Sequence, residues 1–131
     1  GPSKYFEEFV KNELDDFYEE HFRIVCTEFL TLLSSMGKLP IRAQKTGEWV
    51  GKRGSIDVVM RDDDDNCIVA YCSWKKDIIT VKDYKLYLSI AQDARIHPDY
   101  IIILAKGEFD KALHDLTKEV DNIMLIQASS L

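Results

Sequence analysis

Asp57 is the carboxylate best placed for chemistry in this 131-residue chain. It lies in an apolar stretch, Ser55–Arg61, one turn before a second, Cys67–Lys75, that contains Tyr71-Cys72-Ser73-Trp74 near its end. An acidic residue on one strand beside a polar signature at the end of the next can hold a divalent metal and activate water for phosphodiester hydrolysis. Side chains alternate across a strand, so Ser55, Asp57 and Val59 are expected on one face. Val69, Tyr71, Ser73 and Lys75 are expected on one face of the neighbouring strand, with Cys72 and Trp74 turned into packing and Lys76 facing away. A carboxylate on a central strand is costly to bury alone, so Asp57 needs a metal, a cation such as Lys45 or Lys75, a donor such as the Tyr71 hydroxyl, or hydrogen bonds from backbone.

Other chemistries find less support. Gly47-Glu48-Trp49-Val50-Gly51-Lys52-Arg53 has three residues between its glycines instead of four, and no Ser or Thr follows the lysine. It also precedes a strand, so no helix N-terminus would face a phosphate, and a basic hairpin turn is the better reading. Cys26, Cys67 and Cys72 form no zinc-type spacing with His21, His97 and His114. They read as free thiols of a reducing, cytoplasmic environment. Asp62-Asp63-Asp64-Asp65-Asn66 lacks the central glycine and distant glutamate of a calcium loop and is expected to be a hairpin turn. His97 and His114 read as surface residues.

The elements that position Asp57 follow from periodicity. Apolar residues recur at spacings of three and four from Phe6 to Tyr18 and again from Phe22 to Leu33, which predicts helix over 4–36 with a break near Glu20–His21. Gly37 and Pro40 end it. Three strands are expected over Ile41–Gly47, Ser55–Arg61 and Cys67–Lys75. Thr80 is placed to cap a helix running to about Arg95. Ile101–Ala105 reads as a strand covered on both faces, 108–120 as a helix, and Ile123–Gln127 as a closing strand. The order αα-βββ-α-β-α-β predicts an α/β three-layer sandwich, with helices on both faces of a mixed central sheet.

Gly1-Pro2-Ser3 reads as the remnant of a cleaved expression tag, residues 4–131 as a single domain, and the native chain is expected to extend upstream. No apolar run is long enough to span a membrane. The net charge of −6 argues against indiscriminate nucleic-acid binding. Its distribution is uneven, because residues 4–35 hold three basic and eight acidic side chains whereas 36–56 hold five basic and one acidic. Lys45, Lys52, Arg53, Lys75 and Lys76 are the candidates for a nucleic-acid-binding zone.

Taken in order, His21-Phe22-Arg23, Gly47-Glu48-Trp49-Val50-Gly51-Lys52, Ser55-Ile56-Asp57, Tyr71-Cys72-Ser73-Trp74, Tyr100–Leu104 and Lys106-Gly107-Glu108-Phe109 resemble a known family. It is the C-terminal domain of archaeal and bacterial P-loop ATPases, within the restriction-endonuclease-like PD-(D/E)XK superfamily. Members read Phe-Glu, Gly-x-Trp-Trp-Gly-Lys, Glu-Ile-Asp and Glu-Cys-Lys-Trp at these places. The resemblance implies that carboxylates and a lysine would hold magnesium and position water, and that only Asp57 is of the required type here. Arg23, Ser55, Tyr71 and Ser73 stand where the other acidic and lysine groups would be, so the active site is expected to be degenerate, with Lys75 an available substitute cation. The expected function is a catalytically inactive nuclease-fold domain that acts as a protein-interaction and assembly module of a P-loop ATPase. Its partner would be the upstream ATPase portion or a second copy, and ATP would bind only in that upstream portion. The alternatives are a non-cleaving nucleic-acid-binding module, with DNA as partner, and a residual magnesium-dependent nuclease using Asp57 and Lys75. Otherwise no cofactor is expected.

Overall fold

A computed structural model describes the backbone of residues 2–127 and the side chains of residues 2–6 and 13–127. Helix α1 (Pro2–Ser35) leads into strands β1 (Lys45–Val50), β2 (Ser55–Arg61) and β3 (Cys67–Ser73). A two-residue strand β4 (Ile78–Ile79) precedes helix α2 (Val81–Asp93). Strand β5 (Tyr100–Ala105), the short β6 (Glu108–Phe109), helix α3 (Lys111–Glu119) and strand β7 (Ile123–Gln127) complete the order. The main sheet runs β1-β2-β3-β5-β7, antiparallel across the first three strands and parallel from β3 to β7. Helix α1 covers one face, burying Phe22, Cys26 and Leu30 against Val58, Met60, Ile68, Ala70 and Ile102. Helices α2 and α3 cover the other, where Tyr84, Ile90 and Leu113 meet Val69, Tyr71, Ile101 and Ile103. This is the expected three-layer sandwich.

Two local signals act as the sequence predicts. Thr80 caps α2 in a reciprocal box, its hydroxyl accepting from the Asp83 amide while the Asp83 carboxylate accepts from Thr80. Asp62 closes the β2–β3 turn by accepting from the amides of Asp64 and Asn66 at 3.0 and 2.9 Å.

Four expectations are corrected. Helix α1 is continuous, with no break at Glu20–His21. Residues 4–35 contain no Gly or Pro, and an ion pair from Arg23 to Glu20 bridges the expected break. At 100° per residue, Leu14, Phe17 and Tyr18 lie roughly 120° around the helix from Phe22, Cys26 and Leu30. The two apolar stretches are therefore two faces of one helix. Its end is a Schellman closure at Gly37, φ 69°, with the Lys38 amide donating to the Leu33 carbonyl at 2.9 Å and the Gly37 amide to Ser34 at 3.1 Å.

The first strand is displaced from 41–47 to β1, because Leu39 and Ile41 are drawn under α1 into the core. Strand β3 ends at Ser73, two residues early. The expected helix over 108–120 begins only at Lys111. Phe109 pairs with Ile79 in the β4–β6 ribbon, and the Asp110 carboxylate caps α3 by accepting from the Leu113 amide at 2.8 Å.

That ribbon depends on Gly107, where a Cβ atom would overlap the carbonyl oxygens of Lys76 and Asp77. Both are rigid backbone atoms, so the chain must shift to admit a methyl group. Gly107→Ala is expected to lower stability by about 1–3 kcal/mol in urea denaturation. An unchanged midpoint would show that the ribbon yields freely.

Candidate functional site

Strands β2 and β3 pair from Arg61↔Cys67 to Val58↔Ala70 and then part. The alternation of β2 breaks at the same point, with Val58 and Met60 facing α1 and Ile56 packing in the core beneath α2. The Cys72 amide, without a strand partner on this side, donates to Oδ2 of Asp57 at 2.8 Å. Between the parted strands and α1 lies a cavity of about 530 Å³, floored by Ser55, Asp57 and Cys72. Asp16, Glu19, Glu20 and Arg23 overhang it from α1, and Glu48 closes it from β1.

The cavity is lined by five carboxylates and one guanidinium. Arg23 is shared by Glu20 and Glu48, the latter at 3.1 Å, and this pairing holds its pKa above the ordinary arginine value. Lys75 reaches back to Asp16 at 2.5 Å and Glu19 at 3.4 Å. Burial is the main influence on Asp57 and pushes its carboxyl up to about 6 from 3.8. The Cys72 amide and the Arg23 charge oppose that shift, while Glu19 and Glu48 add to it. A hydrogen bond to Cys26, together with burial, raises the Cys72 thiol far above the range in which it would ionise.

Arg23, Ser55 and Asp57 thus meet at one cavity, as the sequence suggests. Tyr71 does not join them. Its side chain lies on the opposite face of the sheet, where its hydroxyl donates to the Tyr87 carbonyl at 2.7 Å and the two rings stack at 4.4 Å. Cys72, expected in packing, lines the cavity in its place. The expectation assumed unbroken alternation on both strands, and the break in β2 at Asp57 reverses which side of β3 it faces. Ser73 is buried at the end of β3 and contributes nothing to the cavity wall. Trp74 packs on Tyr18 and Phe22, with the Lys106 ammonium 4.1 Å from its ring centre.

The five basic candidates do not form one surface. Arg53 is held by Asp93 at 2.7 Å, Lys76 by Asp83 at 2.6 Å, and Lys75 by the α1 carboxylates. Among the described residues only Lys45 and Lys52 of the five have no ion pair. The α1 carboxylates were legible in principle. Asp16, Glu19, Glu20 and Arg23 follow the i, i+3, i+4, i+7 spacing of one helix face, yet the N-terminal acids read as a solvated surface. Among the described residues, no three His, Cys, Asp or Glu side chains converge as a metal cage. The cavity carboxylates other than Asp57 face Arg23 or Lys75, so the residues present do not fit a magnesium site.

A family model, DUF234, described as archaeal and bacterial proteins of unknown function, matches residues 1–87. No curated protein matches the chain. Among solved structures, the DNA modification-dependent restriction endonuclease AspBHI is similar with a TM-score of 0.50 and 15% identity, over 88% of this chain and 33% of that one. A repair endonuclease from Pyrococcus abyssi is similar with a TM-score of 0.46 and 16% identity, over 76% of this chain and 45% of that one. The chain therefore spans between a third and a half of the length of those proteins. The likeness to the first shows a restriction-endonuclease-like fold.

Because the folded pKa of Asp57 lies above its unfolded value, the folded state binds the extra proton between pH 6 and pH 4. Above pH 6 the buried charge lowers stability. That loss diminishes as pH falls through 6 and is gone below about 4. Asp57→Asn, which keeps an acceptor for the Cys72 amide, is expected to be more stable than the parent by about 2–3 kcal/mol at pH 7.5. Paired urea titrations should show the gap closing on acidification. A gap that is constant with pH would mean that Asp57 is not the titrating group.

Proposed function

From the premise that this chain belongs to the DUF234 family and carries a nuclease-like fold, we propose that the domain neither cuts nor grips nucleic acid at its strand-end cavity. It acts instead as a protein-interaction and assembly module, attached in the native protein to a P-loop ATPase. The charge of the cavity carries this reading. A site that takes a phosphodiester needs cations, or metal held by otherwise free carboxylates, at the place where phosphate arrives. Here five carboxylates surround one arginine, and the nearest lysine is neutralised by two of them.

A phosphate backbone entering the cavity would meet net negative charge and would have to displace the Arg23 and Lys75 ion pairs. Non-specific binding elsewhere rests on neutralising several phosphates at once. Of the five candidate cations, Lys45 and Lys52 alone have no ion pair among the described residues, too few for a phosphate track in that zone, since Arg53, Lys75 and Lys76 are already paired. The sequence resemblance supports the ATPase attachment, and the exposed apolar side chains of α1 support a protein partner.

Incubation with magnesium or manganese and with single- or double-stranded DNA or RNA is expected to give no cleavage. Gel retardation of a DNA duplex at low salt should be weak and change less than about twofold in Lys52→Glu/Arg53→Glu. Cleavage that disappears in Asp57→Ala, or retardation that collapses in the double variant, would overturn the reading.

A further inference from the structure

Helix α1 has an apolar stripe that the described residues leave uncovered. Leu14, Phe17, Ile24, Leu32 and Met36, the last at its C-terminal margin, are each between 45% and 64% exposed. At 100° per residue these five share one side of the helix, away from the buried Phe22–Cys26–Leu30 face and from the acidic cavity edge. The stripe extends for about 33 Å, at 1.5 Å per residue. His21, Glu28 and Ser35, all exposed, are the polar residues within it.

The charges along α1 indicate what covers this stripe. Asp16, Glu19, Glu20 and Arg23 lie on the cavity edge and are engaged there, so the titratable residues within the stripe are His21 and Glu28. Two copies laid parallel would set Glu28 against Glu28. Laid antiparallel, Glu28 of each faces His21 of the other, and the helix dipoles also oppose favourably. With a two-fold axis between Ile24 and Val25, Phe17 meets Leu32 of the second copy and His21 meets Glu28. The central part of the stripe, from Phe17 to Leu32, is then self-complementary, as an isologous interface requires, and Leu14 faces Ser35 at either end. The same register sets Ile24 of the second copy over Val25, beside a hollow of about 360 Å³ bounded by Tyr18, Phe22 and Trp74.

We propose that the domain pairs with a second copy of itself through an antiparallel α1–α1 interface centred at Ile24–Val25. The proposal rests on the reading of the domain as an interaction module and names the partner. His21, Glu28 and Leu32 are all exposed, so substitutions there leave the core intact.

Sedimentation equilibrium of the full chain is expected to show a dimer, and Leu32→Glu is expected to weaken it by about 100-fold or more. His21→Glu and Glu28→Lys should each weaken self-association, since the first sets two carboxylates against each other and the second sets an ammonium against His21. Mixed together they should form a heterodimer. At one crossing the two substituted side chains then face each other with opposite charge, and at the other the native His21–Glu28 contact is kept. Circular dichroism and urea midpoints like those of the parent would show that each variant folds. A monomer at all concentrations, a dimer indifferent to Leu32→Glu, or charge variants that fail to pair on mixing would each overturn the proposal. None of these results bears on cleavage, so the proposal can fail while the non-cleaving reading stands, and the converse also holds.

Discussion

The hydrogen bond from the Cys72 amide to the Asp57 carboxylate stands at the junction on which the rest of the site depends. Strand β2 leaves β3 after Val58, and a buried amide left without a partner at that point costs about 1–3 kcal/mol. The Asp57 side chain takes the place of the missing strand. It can do so only from a half-buried position, which is why burial dominates its protonation. The divergence also opens the cavity, and α1 passes over the opening with its acidic edge turned inward. Those carboxylates would repel one another and Asp57 without Arg23 and Lys75 among them. One departure from regular pairing therefore accounts for the cavity, the raised carboxyl and the ion-pair network around it.

The legible parts of this molecule are those set by local rules. Strands 55–61 and 123–127, the Asp62 turn and the Thr80 cap each depend on neighbours within a few residues, and their positions agree with the sequence. The side of β3 that faces the site depends on a break in another strand, which no feature of 67–75 encodes. Tyr71 and Cys72 exchange roles for that reason. Helix α1 misleads in a different way. A shift in phase between two apolar stretches is the ordinary sign of two helices, but here Leu14 and Phe17 of the N-terminal stretch point to solvent, while Phe22, Cys26 and Leu30 of the C-terminal one meet the sheet. Periodicity shows that a face is apolar and is silent on what covers it. The basic zone fails on the same ground, because Asp93 and Asp16 are distant in sequence from Arg53 and Lys75, the cations they neutralise.

Helix α1 serves three separate surfaces, which explains its composition. One face must be apolar to cover the sheet, one edge must be charged to balance the cavity, and a third side is apolar with none of the described residues against it. A helix in contact only with its own domain needs the first of these, and polar residues elsewhere would keep it soluble. Exposed Leu14, Phe17, Ile24 and Leu32 instead oppose solubility as a free surface. Placed along one side of a helix already anchored to the sheet, they have little freedom left to lose on association, which lowers the entropic cost of an interface there.

The fold and the charge of its cavity carry different information about function. A nuclease-like sheet places two strand ends and a helix around a cleft, whatever side chains occupy them. Whether that cleft attracts or repels phosphate is decided by a few charges at close range, at an open rim where solvent screens them in part. Arg23 and Lys75 among five carboxylates make the cleft an ion-pair cluster with excess negative charge. An anion could enter only by displacing carboxylates that are tethered to the domain and lose little entropy by staying. The same tethering stabilises the path of α1 over the strand ends and so holds its apolar stripe in a fixed position. The ion pairs around the cleft thereby also bear on the surface proposed for association.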